Sequence, residues 1–287
     1  METRKRWLQR ASKLALVLAA LYLMLRWFEH RQVYHPTRGF DADPAALGLR
    51  FENITFQTLD GVALHGWFFP ARADSAATNL VFLVSHGNGG NVSHRVNQAQ
   101  ALLRLGPAVF LYDYRGYGRS QGRPGEAGTY RDAQAAHACL RQKGFAATHI
   151  LAYGESLGGA VAADLASRQP VGGLVLQSTF TSMPDIGAEL FPWLPVRWLG
   201  TIQYDTLSKL PRVTAPVLVL HSRADTLIPF HHAERNFAAA PEPKRFAELQ
   251  GDHNDPVWEE PGYAQALGRF LEGVGPGLGR SEVQGPQ

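Results

Sequence analysis

Three side chains of the types that together activate a serine hydroxyl follow one another along the chain in the order serine, aspartate, histidine. Ser156 lies in Gly154-Glu155-Ser156-Leu157-Gly158, a G-x-S-x-G pattern. Such a serine occupies a sharp turn between a strand and a helix, which lifts its hydroxyl clear of the backbone. The hydroxyl is a weak nucleophile until a histidine accepts its proton, and the histidine needs an acid to fix its tautomer. The chain order predicts Asp225 as the acid and His253 as the base.

The same G-x-S-x-G pattern occurs a second time, around Ser120. The residues after it, Gly122-Arg123-Pro124-Gly125, cannot begin a helix at the serine. Ser156 instead precedes the small residues 158–163, which let a helix pack closely on a strand. We therefore predict that Ser156 is the nucleophile and that Ser120 lies in a structural loop.

Other carboxylates compete for the role of the acid. Asp225 and His253 each lie four residues after a predicted strand, in loops at the carboxyl ends of strands where they can converge on the serine. Asp113 precedes the serine in the chain, whereas Asp252 and Asp255 are too near His253 to approach it from a separate loop. The sequence therefore favours Asp225.

A glycine-rich segment, residues 86–91 (His-Gly-Asn-Gly-Gly-Asn), follows the third predicted strand and is called the glycine loop below. A turn here directs the backbone amide of Asn88 towards the serine, opposite the amide of Leu157. Two such amides form an oxyanion hole. The alternative, a phosphate-binding loop, is disfavoured because no Lys-Ser or Lys-Thr follows the glycines.

Short β-branched apolar runs alternate with helical stretches from about residue 50 onwards. The predicted strands are 51–57, 63–69, 80–85, 108–113, 149–153, 173–177, 217–221 and 245–249, and the predicted helices are 93–104, 129–142, 156–168, 232–239 and 257–272. Asp60-Gly61 predicts a hairpin between the first two strands. The strand–helix–strand spacing predicts a mostly parallel, roughly eight-stranded α/β sheet flanked by helices.

The strand spacing is interrupted once, between the sixth and seventh predicted strands. Residues 181–215, called the cap below, are rich in apolar and aromatic side chains. We predict a small cap at the carboxyl edge of the sheet, with Phe191, Trp193 and Trp198 contacting substrate. The alternative, that these side chains simply cover the sheet, is left open.

The composition of the chain argues against several classes of partner and cofactor. The chain has 287 residues and a formal net charge of +3, but residues 1–13 hold five of the 28 basic residues and one of the 25 acidic ones. The remainder is neutral to slightly acidic, which argues against a nucleic-acid partner.

Cys139 is the single cysteine and cannot form an intramolecular disulfide. His231 and His232 have no third ligand nearby in sequence, so we expect no metal and no organic cofactor.

The N-terminal segment is typical of a membrane anchor. Residues 14–25 carry no charge, and residues 7–28 would form a helix of roughly 33 Å, which spans a bilayer. No small-residue cleavage site follows, which disfavours a signal peptide, and a packed or amphipathic helix is the other alternative. The basic flank predicts a cytoplasmic N-terminus and a catalytic domain on the other side. We predict residues 1–30 as flank and anchor, 31–50 as linker, 51–272 as the catalytic domain and 273–287 as a disordered tail.

With these residues in view, the chain resembles the α/β-hydrolase superfamily over about residues 34–272. Residues 85–91, 113–118 and 154–159 are similar to those of membrane-anchored serine hydrolases, a group that includes depalmitoylating and lysophospholipase-like enzymes. The resemblance implies the same three catalytic residues and a structural role for residues 113–118. The chain lacks the N-terminal cysteine cluster of the depalmitoylating branch.

The expected function is therefore hydrolysis of carboxylic ester or thioester bonds in small-molecule, acyl or lipid-like substrates through an acyl-enzyme. A peptidase of the same fold is one alternative, disfavoured because the sequence offers no large second domain to select peptide ends. A catalytically silent binding module on the same scaffold is the other.

Overall fold

An eight-stranded sheet forms the centre of the protein, whose computed structural model describes residues 2–72 and 77–274. The strands are β1 (Glu52–Gln57), β2 (Ala63–Phe69), β3 (Val81–Ser85), β4 (Ala108–Tyr112), β5 (Ile150–Glu155), β6 (Gly173–Gln177), β7 (Val217–Ser222) and β8 (Lys244–Leu249). Their order across the sheet is β8-β7-β6-β5-β3-β4-β2-β1. Within this sheet, β2 pairs antiparallel with both of its neighbours, β1 and β4. All the other neighbouring strands pair parallel.

The helices are α1 (Glu2–Val33), α2 (Val96–Arg104), α3 (Glu126–Gln142), α4 (Leu157–Arg168), α5 (Met183–Leu190), α6 (Val196–Leu199), α7 (His231–Ala239) and α8 (Pro261–Val274). The predicted fold class is confirmed, and each predicted strand agrees with the observed one to within two residues at either end. The hairpin at Asp60-Gly61 is present as predicted.

Both faces of the central strands are buried, as a parallel sheet covered by helices requires. Alternate side chains enter two separate cores: Leu83 and Leu176 face one with α3 and α4, whereas Phe82 and Val175 face the other with α2 and α8. The nearly continuous apolar runs of these strands are the sequence cause of this arrangement.

Helix α1 is longer than the predicted span because no breaking residue interrupts it before Tyr34. Residues 4–24 are exposed, and the helix is long and apolar enough to cross a membrane. From Leu25 onwards one face of the helix contacts the rest of the protein. The helix therefore projects from the α/β domain at one end and packs against it at the other.

Residues 34–41, within the predicted linker, lie along the glycine loop and are called the strap below. His35-Pro36 pairs parallel with Gly89-Gly90. At the other end of the chain, residues 273 and 274 continue α8, so this part of the predicted tail is helical; residues 275–287 lie outside the described residues.

Candidate active site

Ser156 alone makes the turn between strand β5 and helix α4. Its backbone has φ 53° and ψ −121°, a left-handed conformation that is strained for a residue with a side chain. The Ser156 N–H donates to the carbonyl of Gln177 at 2.9 Å, and the Thr179 hydroxyl donates to the carbonyl of Ser156 at 3.1 Å. The last residue of β6 and the segment that follows it thus hold this turn in place.

The glycines of the pattern are required by close approach of backbones. A Cβ on Gly158 would lie 1.9 Å from the carbonyl oxygen of Ser85, and one on Gly154 would lie 2.3 Å from the carbonyl oxygen of Gly158. Both distances are far below contact distance. The two glycines therefore let α4 begin directly against the ends of β3 and β5, which brings Ser156 to the carboxyl edge of the sheet.

The three side chains singled out by their order in the sequence form one hydrogen-bonded chain. His253 Nε2 lies 3.2 Å from Ser156 Oγ, and His253 Nδ1 lies 2.8 Å from Asp225 Oδ2. With Nδ1–H donating to the carboxylate, the lone pair of Nε2 faces the serine hydroxyl. This is the tautomer in which a histidine can accept the proton of the serine.

The loop after β7 orients the carboxylate of Asp225. Its Oδ1 accepts the backbone N–H groups of Leu227 at 3.0 Å and Ile228 at 2.7 Å, which leaves Oδ2 for the histidine. Asp252 accepts the N–H and hydroxyl of Thr226, each at 2.8 Å, and so ties this loop to the loop that carries His253. Asp252 therefore joins the two loops and does not compete for the imidazole.

A second histidine, His221, lies beneath the acid and was not singled out by the sequence pattern. Its Nε2–H donates to the carbonyl of Ile228 at 2.8 Å, and the same nitrogen lies 3.5 Å from Asp225 Oδ2. Burial lowers the pKa of His221 and keeps the ring neutral. The ring thus supports the turn after Asp225.

The glycine loop lies against the serine turn. A Cβ on Gly87 would lie 3.6 Å from the Cβ of Ser156. The next residue, Asn88, is therefore adjacent to the turn, and its carbonyl accepts the Tyr117 hydroxyl at 2.8 Å and the strap amide of His35 at 3.1 Å. Leu157 is the first residue of α4, so its N–H has no acceptor within the helix.

Residues 113–118 support the glycine loop, which gives a physical reason for the motif. The Tyr114 hydroxyl donates to the carbonyl of His86 at 2.8 Å, and Asp113 Oδ1 accepts the N–H of Val92 at 2.9 Å. Ser120 of the second G-x-S-x-G pattern is fully buried; its hydroxyl donates to the carbonyl of Asp113 at 2.8 Å. The Ser120 hydroxyl is thus engaged with the backbone, as expected of a structural loop.

The predicted cap contains α5 and α6 and packs against α1. Phe191 makes an edge contact with Phe28 of α1, with 6.0 Å between ring centroids, and Trp193 packs on Phe191 at 6.2 Å. Trp193 and Trp198 are 74% and 90% exposed. The structure therefore places these three side chains at the outer surface or beside α1, and it does not bring them together with Ser156.

The structure supplies the third group that His231 and His232 lack in sequence, the carboxylate of Glu189 on α5. His232 Nδ1 accepts the N–H of Thr181 at 3.1 Å, so the proton of the neutral ring is on Nε2, which faces Glu189 Oε1 at 3.3 Å. Burial lowers the pKa of His232 to about 4. A protonated ring nitrogen cannot ligate a metal, so the cluster fits a polar contact between the cap and α7.

The chain is similar to several known proteins. Residues 76–204 match a family described as serine aminopeptidase, S33. The chain is 40% identical over 243 residues to the uncharacterized protein Rv2307c of Mycobacterium tuberculosis, covering 84% of this chain and 86% of that one. It is 31% identical over 290 residues to the alpha/beta hydrolase domain-containing protein WAV2 of Arabidopsis thaliana, covering 91% and 92%.

Among solved structures, the Pyrococcus furiosus esterase Pf2001 superposes with a TM-score of 0.67 at 22% identity, covering 84% of this chain and 99% of that one. At this identity the similarity concerns the fold. Together with the relatives above, it shows that the chain belongs to the α/β-hydrolase family.

Proposed function

We propose that this protein is a membrane-anchored serine hydrolase that cleaves carboxylic esters or thioesters through an acyl-enzyme on Ser156. The observation that carries the proposal is the hydrogen-bonded chain from Ser156 through His253 to Asp225, with the serine on a strained turn. A turn of this kind costs stability, and such strain is concentrated where a fold serves chemistry.

In the proposed mechanism, His253 Nε2 takes the proton of Ser156 as Oγ attacks the acyl carbon. The negative charge on the tetrahedral oxygen is stabilised by the amides of Asn88 and Leu157, and the imidazolium by Asp225. His253 then donates its proton to the departing alcohol or thiol. Water, deprotonated by the same histidine, attacks the acyl-enzyme and releases the acid.

We propose that α1 stays attached and anchors the enzyme in a membrane. Support comes from the way its end enters the catalytic domain, since the strap that follows α1 pairs with the glycine loop. Cleavage before Leu25 would remove the exposed apolar segment, whereas cleavage after it would also remove contacts to the cap. The basic flank at residues 4–13 favours a catalytic domain on the non-cytoplasmic side, to be tested by protease protection in sealed vesicles.

The experiment that tests the proposed function compares purified full-length protein with two variants, Ser156→Ala and Ser120→Ala. Both serines lie in a G-x-S-x-G pattern, so the second variant is a matched control. Turnover of p-nitrophenyl esters and acyl thioesters is expected to disappear in Ser156→Ala and to persist in Ser120→Ala. A folded wild-type protein without turnover on either substrate class would instead favour a binding module.

A second candidate function, peptide hydrolysis, is favoured by one observation, the description of the matched family as serine aminopeptidase, S33. Aminoacyl p-nitroanilides in the same assay distinguish it. Hydrolysis of these amides with a higher kcat/KM than that of the esters would replace the proposed substrate class and leave the role of Ser156 unchanged.

A further inference from the structure

The docked end of α1 is fastened to the cap by polar groups. Glu29 accepts the backbone N–H groups of Thr201 at 2.7 Å and Ile202 at 2.9 Å, and it pairs with Arg26 at 2.8 Å. Arg26 also donates to the hydroxyl of Thr201 and to the carbonyl of Leu199. Charge-assisted hydrogen bonds of this kind join the cap to the helix.

Between α1 and the cap lies an apolar cavity of about 110 Å³. By the same measure a single water needs about 10–15 Å³, so the cavity has room for a larger group. Most of its lining is apolar, with Arg26, Glu29 and Gln32 as its polar members, and an apolar cavity accepts apolar molecules. Its apolar lining includes Leu25, Phe28, Ile186, Leu190, Leu194 and Leu199.

The wall formed by α1 is continuous with its exposed apolar segment, residues 14–24. Beside it, the cap exposes Trp193 and Trp198, and α1 exposes Trp27. Tryptophan is enriched where a protein passes from lipid to water. A bilayer around α1 would therefore meet the cap at its tryptophans, with the cavity beside the lipid.

Both walls of the cavity are close in sequence to residues that contact the candidate active site. On the cap side, Met183 lines the cavity, four residues after Thr179, whose hydroxyl donates to the carbonyl of Ser156. On the helix side, Val33 lines it, two residues before His35, which donates to the carbonyl of Asn88. The segment after β6 and the end of α1 with the strap thus each contribute one wall residue of the cavity and one contact to the serine turn or the glycine loop.

We infer that this cavity binds the acyl chain of a membrane lipid that enters from the bilayer between α1 and the cap. The inference rests on the proposed function for the fate of the bound lipid, since the ester of such a chain is the bond that Ser156 would attack. In this arrangement α1 is an anchor and also one wall of the acyl site.

The first test uses Leu190→Trp and Leu194→Trp, which place a larger side chain at the cavity. Leu47→Trp is the matched control, because Leu47 and Leu190 are 44% and 46% exposed and Leu47 does not line the cavity. For p-nitrophenyl esters of long chains, kcat/KM is expected to fall at least about tenfold, the effect of losing a few methylene contacts. Short-chain esters should be unaffected. Equal effects on all chain lengths, or none, would overturn the acyl site.

The second test is independent of turnover and uses full-length Ser156→Ala protein in phosphatidylcholine vesicles that contain a lipid with a photoreactive diazirine in its acyl chain. Labelling is expected on Ile186 and Leu190, which both line the cavity, and should be reduced by Leu194→Trp. Labelling confined to residues 7–24 would overturn the inference. If esters are not hydrolysed but the cavity is labelled, the proposed function fails and the lipid site stands. If esters are hydrolysed but the cavity is not labelled, the proposed function stands and the lipid site fails.

Discussion

The carboxylate of Asp225 has its two oxygens assigned to different tasks, which makes Asp225→Asn a sharp perturbation. Oδ1 accepts two backbone N–H groups, from Leu227 and Ile228, and Oδ2 accepts the Nδ1–H of His253. To keep the two backbone donors satisfied, the amide oxygen of an asparagine must take the Oδ1 position. Its NH₂ group then faces His253 Nδ1.

An NH₂ group at that position forces Nδ1 of His253 to become an acceptor and moves the ring proton to Nε2. Nε2–H then faces Ser156 Oγ and cannot accept its proton. The opposite amide orientation would place NH₂ against two N–H donors and cost about 1–3 kcal/mol for each unsatisfied group. We therefore expect kcat to fall by about 10⁴-fold, or about 5 kcal/mol, with little change in KM.

The assay is steady-state hydrolysis of the best p-nitrophenyl ester, with circular dichroism to verify folding. Asp252→Asn is the matched control, because this residue is adjacent to His253 and its main contacts are to Thr226 and the His253 amide. It should keep kcat within about tenfold of wild type, a change of about 1.4 kcal/mol. A kcat for Asp225→Asn above one tenth of the wild-type value, or a larger loss in Asp252→Asn, would refute the assignment of the acid.

Three further predictions concern the groups around the serine. Tyr117→Phe removes the hydroxyl that donates to the carbonyl of Asn88; we expect kcat to fall by up to about 10²-fold and the free energy of unfolding by about 1 kcal/mol, measured by kinetics and urea titration. Burial lowers the pKa of His86 from 6.5 to about 4, so the unfolded chain binds a proton at this histidine before the folded protein does as the pH falls. The resulting contribution to the free energy of unfolding, about 3 kcal/mol, is fully present above pH 6.5 and is lost between pH 6.5 and 4. Urea titrations over this pH range should show the loss, and the dependence on pH should be weaker in His86→Gln. Gly158→Ala brings a methyl group 1.9 Å from the Ser85 carbonyl oxygen and should destabilise the fold by about 1–3 kcal/mol, whereas Gly268→Ala in α8, where no atom lies within 4 Å of the added Cβ, should be neutral or stabilising by about 1 kcal/mol in thermal unfolding.

The strands and the order of the candidate catalytic residues could be predicted because they depend on local patterns. Runs such as Val81–Ser85 and Val217–Ser222 are β-branched and apolar, and the turn at Asp60-Gly61 has its own signature. The parallel sheet then requires that the ends of β5, β7 and β8 meet at one edge. Ser156 and Asp225 follow from this geometry without any knowledge of side-chain contacts.

The remaining features depend on contacts between distant parts of the chain, for which the sequence has no local signal. Glu189 of the cap lies against His231 of α7. Glu29 accepts the hydroxyl of Thr201, which is more than 170 positions away in the sequence. The strap likewise pairs with a loop about 54 residues away. The same holds for the aromatic cap residues: the sequence pattern indicates that Trp198 is apolar, but only the three-dimensional structure shows that it is exposed.

The central claim, that Ser156 is the nucleophile, is tested most directly by mass spectrometry of the full-length protein after reaction with a fluorophosphonate. We predict a single phosphonyl adduct on Ser156, absent from Ser156→Ala and formed much more slowly by His253→Ala. An adduct on Ser120 or on another residue, or labelling that persists undiminished in Ser156→Ala, would contradict the account.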